Sequence, residues 1–433
     1  MYFIRILVTS AIILVSGLSH NSLTWSQGTQ DVVAGIPVNY DESLTGTYTL
    51  PDPLVFSNGK KVKNSKQWEK KRRPQVLGLF EEFQYGKAPA APAKLSFDVF
   101  DPGTPALNGK AIRKQVTVYL TDDTSNFKME LLVYVPAGAD KPVPLFFNVG
   151  FSANSTVIDD PGIKPGYIWG REGTRIPVKP AGGFGRMDVD RFLSEGIGFA
   201  TVYYGDIEPD FADGIKYGIR GYYLKPGNDY PAPDEWGAIS AWSWGLSRAM
   251  DYLETDPFIN SKKIALFGVS RLGKTVLWTG ARDTRFGMVI ASCGGEGGAA
   301  LSRRWFGETI DHMTHPTRYF YQFAGNWRNF RDDPSASPVD GHMLVALMAP
   351  RPLLLQTGDT DHWSDPKGEF LSAVAGGPVY GLYGKRSLGT DIMPPARQPI
   401  LNDLGYLMHA GGHGAIPSDY DVFIRFMKMH FLK

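Results

Sequence analysis

The chain has 433 residues, 43% of them hydrophobic and 13% aromatic, which is ample material for a buried core and excludes a largely disordered polymer. Lys and Arg number 45 against 44 Asp and Glu, so no overall field draws the protein to nucleic acid or to an acidic membrane surface. Partner choice must come from a local site. The ten Trp and twenty Tyr are compatible both with core packing and with stacking on sugar rings.

The chain opens with Arg5 and an apolar run from Ile6 to Leu18, too short to cross a bilayer core. This predicts a secretory signal peptide over residues 1–26, cleaved between Gly17 and Gln27. No cysteine lies near that cut, which argues against a lipoprotein anchor. Cys293 is the only cysteine, so no internal disulfide forms and an exported protein here relies on its core. Residues 27–104 are rich in Pro and turn formers, with one helical patch at SKQWEKKRRPQVLGLFEEFQYG (65–86). They read as an extension packed on a main domain of residues 105–433.

From residue 114 the pattern changes. KQVTVYL and KMELLVYVP alternate as a hairpin would, and PVPLFFNVG and GIGFATVYYGD are nearly continuous apolar runs of buried-strand type. Between them, DDPGIKPGYIWGREGTRIPVKPAGGFG is too long for a plain connection and reads as a loop inserted over one end of a sheet. GAISAWSWGLSRAMDYLETDP is an amphipathic helix. Strand KIALFG, helix KTVLWTGARD, strand FGMVIASCGG and strand RPLLLQTGDTD follow it. Strand and helix in alternation predict an α/β fold with a mostly parallel sheet covered on both faces.

The chemistry centres on GVSRLGK (268–274). A strand, a sharp turn and a helix would lift the Ser270 hydroxyl to the carboxyl edge of the sheet, as in α/β hydrolases. Gly268 stands two before the serine, but position 272 is Leu and the second glycine comes at 273. A serine that merely caps the helix fits this stretch as well. Downstream, PLLLQTGDTDHW carries Asp359, Asp361 and Asp365 beyond a strand, and GYLMHAGGHGAIPSDY offers His409 and His413 before a last helix. Serine, acid, histidine is the chain order of an α/β-hydrolase triad. A serine hydroxyl needs an imidazole to take its proton, and the imidazolium needs a carboxylate to orient it. The glycines flanking His413 favour it as the base, whereas His409 suits a hydrogen-bonded core position. The backbone N–H of Arg271 is one oxyanion donor, and its guanidinium is a second.

These residues resemble the G-x-S-R-x-G-K elbow of the glucuronoyl esterases, which cleave the ester between 4-O-methyl-glucuronic acid of xylan and lignin alcohols. The likeness extends through GGEGGAALSRRWFGETI, DGHMLVALMAPRPLLLQTGDTDHWSDPKGEF, GTDIMPP and GGHG, from about Val143 to the C-terminus. It implies an α/β-hydrolase sandwich, Ser270 as nucleophile, Arg271 as oxyanion stabiliser and His413 as base. It also implies Lys274 on the sugar hydroxyls and Trp363 on the uronate. Glu308 and Arg304, in SRRWFGET just beyond the turn that carries Glu296, are placed to line the pocket, Glu308 as a partner for a sugar hydroxyl or an arginine. Two departures stand out. Many members bridge the serine and histidine loops by a disulfide, whereas Val269 and Gly414 occupy those positions here. The family often takes its acid from a glutamate after the next strand, where this chain has Cys293. Asp361, in a Gly-x-x-Asp arrangement, is the expected acid, with Glu296 and Asp359 as alternatives; Asp365, before Pro366, suits a helix cap.

The expected protein is therefore an exported serine carboxylesterase, acting on glucuronoxylan–lignin esters as a monomer, with no metal and no cofactor, and binding neither nucleic acid nor, once processed, a membrane. An acetylxylan or related carbohydrate esterase is the rival within enzymes. A non-catalytic carbohydrate-binding protein on a hydrolase scaffold is the rival outside them.

Overall fold

The computed structural model describes residues 31–180 and 185–432; the expected signal peptide lies outside the described residues. A nine-stranded sheet organises them: β1 Ser96–Ala106, β2 Ala111–Tyr119, β3 Lys128–Pro136, β4 Val143–Gly150, β5 Gly198–Tyr203, β6 Ile259–Val269, β7 Met288–Ser292, β8 Leu353–Gly358 and β9 Leu404–His409. Their spatial order is β9-β8-β7-β6-β4-β5-β3-β2-β1. The run from β9 to β5 is parallel, and β3, β2 and β1 complete the sheet antiparallel. This is the α/β-hydrolase architecture. The chain passes from β4 to β5 on one side and returns to β6 on the other, so a crevice opens beyond the carboxyl ends of these strands.

The period-two alternation of strands divides the core between the two faces. Leu145, Phe147, Leu266 and Val289 point to one face, where they meet α1 Arg73–Phe83, α2 Ala238–Leu253 and α3 Arg271–Arg282. Phe146, Phe199, Phe267 and Ile290 point to the other, against Phe423 and Phe426 of the last helix. Two further helices matter below: α4 Pro366–Gly376 and α5 Pro417–Phe431. Among the described residues no helix is long and apolar enough to cross a membrane.

The helical patch forms as expected from Ser65 to Phe83, but with a π turn over Trp68–Arg72. Pro74 at the start of α1 explains it, because proline lacks the N–H and crowds the carbonyl one turn back. Trp68, Val76, Phe80 and Tyr85 are buried in the main core. The boundary drawn at 104/105 falls inside β1. That strand escaped detection because its edge position, register shifts and internal Pro and Gly disrupt alternation. β9 was likewise hidden within a Gly-rich stretch read as loop.

The inserted loop is where the sequence put it. It carries a short hairpin, Tyr167–Trp169 with Arg175–Pro177, whose Trp169 Nε1 donates to Gly205 O at 2.8 Å just beyond β5. Between β7 and β8 a long segment of short turns, including the helix Ile310–Thr314, walls the crevice.

Candidate active site

Ser270 sits between the end of β6 and the start of α3 with φ 60° and ψ −127°. Holding a non-glycine residue there costs about 1–3 kcal/mol, which the surrounding packing must offset. Its side chain makes no capping hydrogen bond to α3, so the hydroxyl is not a helix cap. The displaced glycine has a steric explanation. A Cβ at Gly273 would lie 2.5 Å from Ser292 O, and one at Gly268 would lie 2.4 Å from Leu272 O. Ser292 O accepts the Ser270 N–H at 2.8 Å, so the elbow is pulled against β7 and needs its bare backbone at 273. Leu272 turns into the core and is fully buried.

A cavity of about 240 Å³ gathers Ser270, Arg271, Lys274, Glu308, Asp361, Trp363 and His413. These seven of the candidates named from the sequence line one space, whereas Arg304, Glu296, Asp359, Asp365 and His409 do not. A larger cavity of about 390 Å³ lies beside β3 under the inserted loop, lined by groups such as Leu131, Ile163 and Asp206, and its lining holds no serine, cysteine or histidine.

His413 Nδ1 stands 2.8 Å from Asp361 Oδ2, with Ser364 Oγ at 3.2 Å. Burial is the largest influence on the Asp361 carboxyl and acts to raise its pKa. The hydrogen bond and charge of His413, with bonds from Ser364 and Cys293, outweigh it and hold Asp361 below the usual carboxylate range. Gly358 makes the pair possible, since a Cβ there would lie 2.1 Å from Gly412 O of the histidine loop. Asp359 anchors that loop by accepting the Gly411 N–H at 2.8 Å. His409 is buried between Asp419 Oδ2 at 2.7 Å and Gly412 O at 2.9 Å, a supporting position away from the serine. The loops that lack a disulfide approach each other closely, so that a Cβ added at Gly414 would lie 3.9 Å from Val269 Cγ1.

The remaining acids part company. Glu296 is buried and accepts Ser302 Oγ at 2.5 Å, and burial lifts its pKa to about 8. Asp365 caps α4 through Gly368 N–H at 2.9 Å and pairs with Arg304 Nε at 2.9 Å. Arg304 also pairs with Glu42, so it braces the N-terminal segment and does not line the cavity. Cys293, Asp361 and His413 carry ligand-type atoms all within 4.8 Å of one another, the one such group among the described residues. Burial pushes the Cys293 thiol well up, against the thiolate a metal would need, and its sulfur accepts the Gly414 N–H at 3.3 Å.

On the opposite wall, Lys274 Nζ lies 2.8 Å from Glu308 Oε1 and 2.8 Å from Gly294 O. Glu308 Oε1 also accepts the Glu296 N–H at 2.9 Å. The Arg271 guanidinium pairs with Asp210 and lies 4.9 Å from the centre of the Tyr319 ring. Burial works against its charge, but Asp210 more than restores it and the pKa ends above the ordinary value. Sequence reasoning missed Met313, Tyr319, Gln322 and Ser364 in the lining, and Asp210 behind it. Met313, Tyr319 and Gln322 belong to the aperiodic segment between β7 and β8, which carries no pattern from which a wall could be read.

A solved glucuronoyl esterase from Solibacter usitatus superposes with a TM-score of 0.86 at 43% identity, covering 90% of this chain and all of its own. A carbohydrate esterase, MZ0003, from an unknown prokaryotic organism is 41% identical over 400 residues, 90% of this chain and 92% of that protein. The chain belongs to the glucuronoyl esterase family. The family description "Glucuronyl esterase, fungi" matches residues 224–384. A 4-O-methyl-glucuronoyl methylesterase of Phanerochaete carnosa is 26% identical over 81% of this chain and 74% of its own length. Position 293, which the resemblance gives to a glutamate, is a cysteine in this chain. Here the carboxylate in hydrogen-bond contact with His413 belongs to Asp361.

Proposed function

We propose that the protein is an exported glucuronoyl esterase that hydrolyses the ester between 4-O-methyl-glucuronic acid of xylan and lignin alcohols through an acyl-enzyme on Ser270. The observation that carries this reading is the meeting of an uncapped elbow serine, the His413–Asp361 pair and a buried Lys274–Glu308 pair in one cavity. The names borne by the relatives from Solibacter usitatus and Phanerochaete carnosa support the substrate class. Residues 1–26 act as the export leader, the mature enzyme works as a monomer, and the part it plays is in lignocellulose breakdown.

Asp361 accepts a hydrogen bond from the Nδ1–H of His413, which fixes the tautomer whose Nε2 is unprotonated and able to act as a base. Ser270 Oγ attacks the C6 carbonyl carbon while Nε2 takes the hydroxyl proton. The tetrahedral oxygen gains a negative charge, held by the Arg271 backbone N–H, free at the start of α3, and by its guanidinium. Collapse expels the alcohol, which leaves with the proton from Nε2. Water then gives a proton to Nε2 and attacks the acyl-enzyme, and the second collapse returns the proton to Ser270 and frees the uronic acid. Lys274, Trp363 and Glu308 grip the sugar.

The test is hydrolysis of benzyl glucuronate and of an acetyl ester by wild type and Ser270→Ala. A preference for the glucuronate and a loss of about four to six orders of magnitude in kcat are expected. Activity surviving the substitution in a folded variant would refute the mechanism, and a preference for acetyl would refute the substrate.

A further inference from the structure

We infer that Asp210 is a positioning residue for ester hydrolysis, aiming the Arg271 guanidinium at the charge that develops in the transition state. The inference rests on the role proposed above for Arg271. Asp210 lies in the loop after β5 and does not line the cavity itself. Its carboxylate is saturated. Oδ1 accepts Tyr321 OH at 2.8 Å and Gln322 Nε2 at 2.8 Å, while Oδ2 accepts Tyr204 OH at 2.8 Å and Arg271 Nη1.

The three neutral donors come from buried, packed surroundings. Tyr321 and Gln322 are buried, and the Tyr204 ring packs edge-on to Trp242 with centroids 4.8 Å apart. Burial foremost, with the Asp210 charge behind it, lifts the pKa of Tyr204 and Tyr321, so both hydroxyls remain donors. Gln322 turns its amide N–H toward Asp210 and leaves its Oε1 buried without a partner among the described residues, an orientation consistent with the pull of the carboxylate. The guanidinium is thus gripped at one edge by Asp210 and packed against Tyr319, and its other donors serve the cavity that Arg271 lines. A planar fork held in this way needs no reorganisation when an oxyanion forms. The ground-state carbonyl is uncharged, so the benefit falls on kcat rather than on KM.

An asparagine at 210 would place an NH₂ where two donors now converge. We would measure kcat and KM on benzyl glucuronate for Asp210→Asn, Arg271→Ala and the double variant, with thermal unfolding to verify the fold. Arg271→Ala is expected to lower kcat about 100-fold or more. Asp210→Asn should lower it about 10- to 100-fold with KM within about threefold, and should change the Arg271→Ala enzyme by less than about threefold. An Asp210→Asn effect of equal size in both backgrounds, or one confined to KM, overturns the positioning role while leaving that of Arg271 intact. A near-wild-type Arg271→Ala overturns both. Should Asp210→Asn not fold, Tyr321→Phe, which removes one of the four donors, carries the same cycle: a several-fold loss of kcat only when Arg271 is present is expected, and an equal loss without it overturns the inference.

Discussion

Replacing Lys274 by methionine separates what the buried ion pair does for the fold from what it does for the sugar. The side chains of Lys274 and Glu308 are only 3% and 7% exposed, with Nζ and Oε1 2.8 Å apart. Removing the ammonium strands a carboxylate whose remaining donor among the described residues is the Glu296 N–H. Breaking one partner of such a pair costs about 3–5 kcal/mol. With an unfolding entropy near 0.8 kcal/mol/K for about 400 folded residues, Tm should fall by about 5 °C. Adding Glu308→Gln discharges the stranded group, keeps a carbonyl for the Glu296 N–H, and should recover most of the loss. Activity should not recover, because neither variant has the ammonium that would meet the uronate hydroxyls: kcat/KM on benzyl glucuronate stays down by about 10- to 100-fold in both, while an acetyl ester is turned over nearly as before. Circular-dichroism melts and initial rates read the two effects. A Lys274→Met enzyme melting with the wild type would refute the energetics, and a double variant with full glucuronate activity would refute the sugar contact.

The choice of acid gives a second prediction. Asp361→Asn should lower kcat by about 10⁴, by stabilising the wrong His413 tautomer, whereas Glu296→Gln should leave it within several-fold; the opposite ranking in steady-state rates would make Glu296 the acid. A third concerns pH. Glu369 on α4 is fully buried, Oε1 accepts the Gly295 N–H at 2.7 Å, and burial lifts its pKa to about 8. The folded protein keeps this proton up to about pH 8, while the unfolded chain releases it near 4.5, so stability from this group declines as pH rises between those values. Glu369→Gln removes that slope, and its Tm should fall by several degrees less than that of the wild type from pH 5 to 8.5; parallel Tm profiles would show that the group titrates normally.

Much of this protein was written locally. The buried strands β4 to β8, the helices α2 and α3, and the order Ser270, Asp361, His413 could be read because apolar runs and glycine-flanked turns are properties of neighbouring residues. The same holds for the inserted loop and for the capping role of Asp365. Other features depend on residues far apart in the chain. That Gly273 replaces the usual glycine at 272 follows from the approach of Ser292 O on β7, which no spacing within the elbow reveals. That Arg304 braces Glu42 and Asp365 instead of facing the cavity depends on how the N-terminal segment packs beside the chain after β8, and that Asp359 ties down a loop while Asp361 meets the imidazole depends on how β8 and the chain after β9 fold onto each other. Asp210 is the clearest case. Its four donors come from Tyr204, Arg271, Tyr321 and Gln322, and only the folded chain brings them to one carboxylate. Side-chain chemistry and short-range pattern are properties of the sequence alone, whereas the convergence of donors, the burial that shifts pKa values and the clearance for a Cβ arise only when distant segments are packed together.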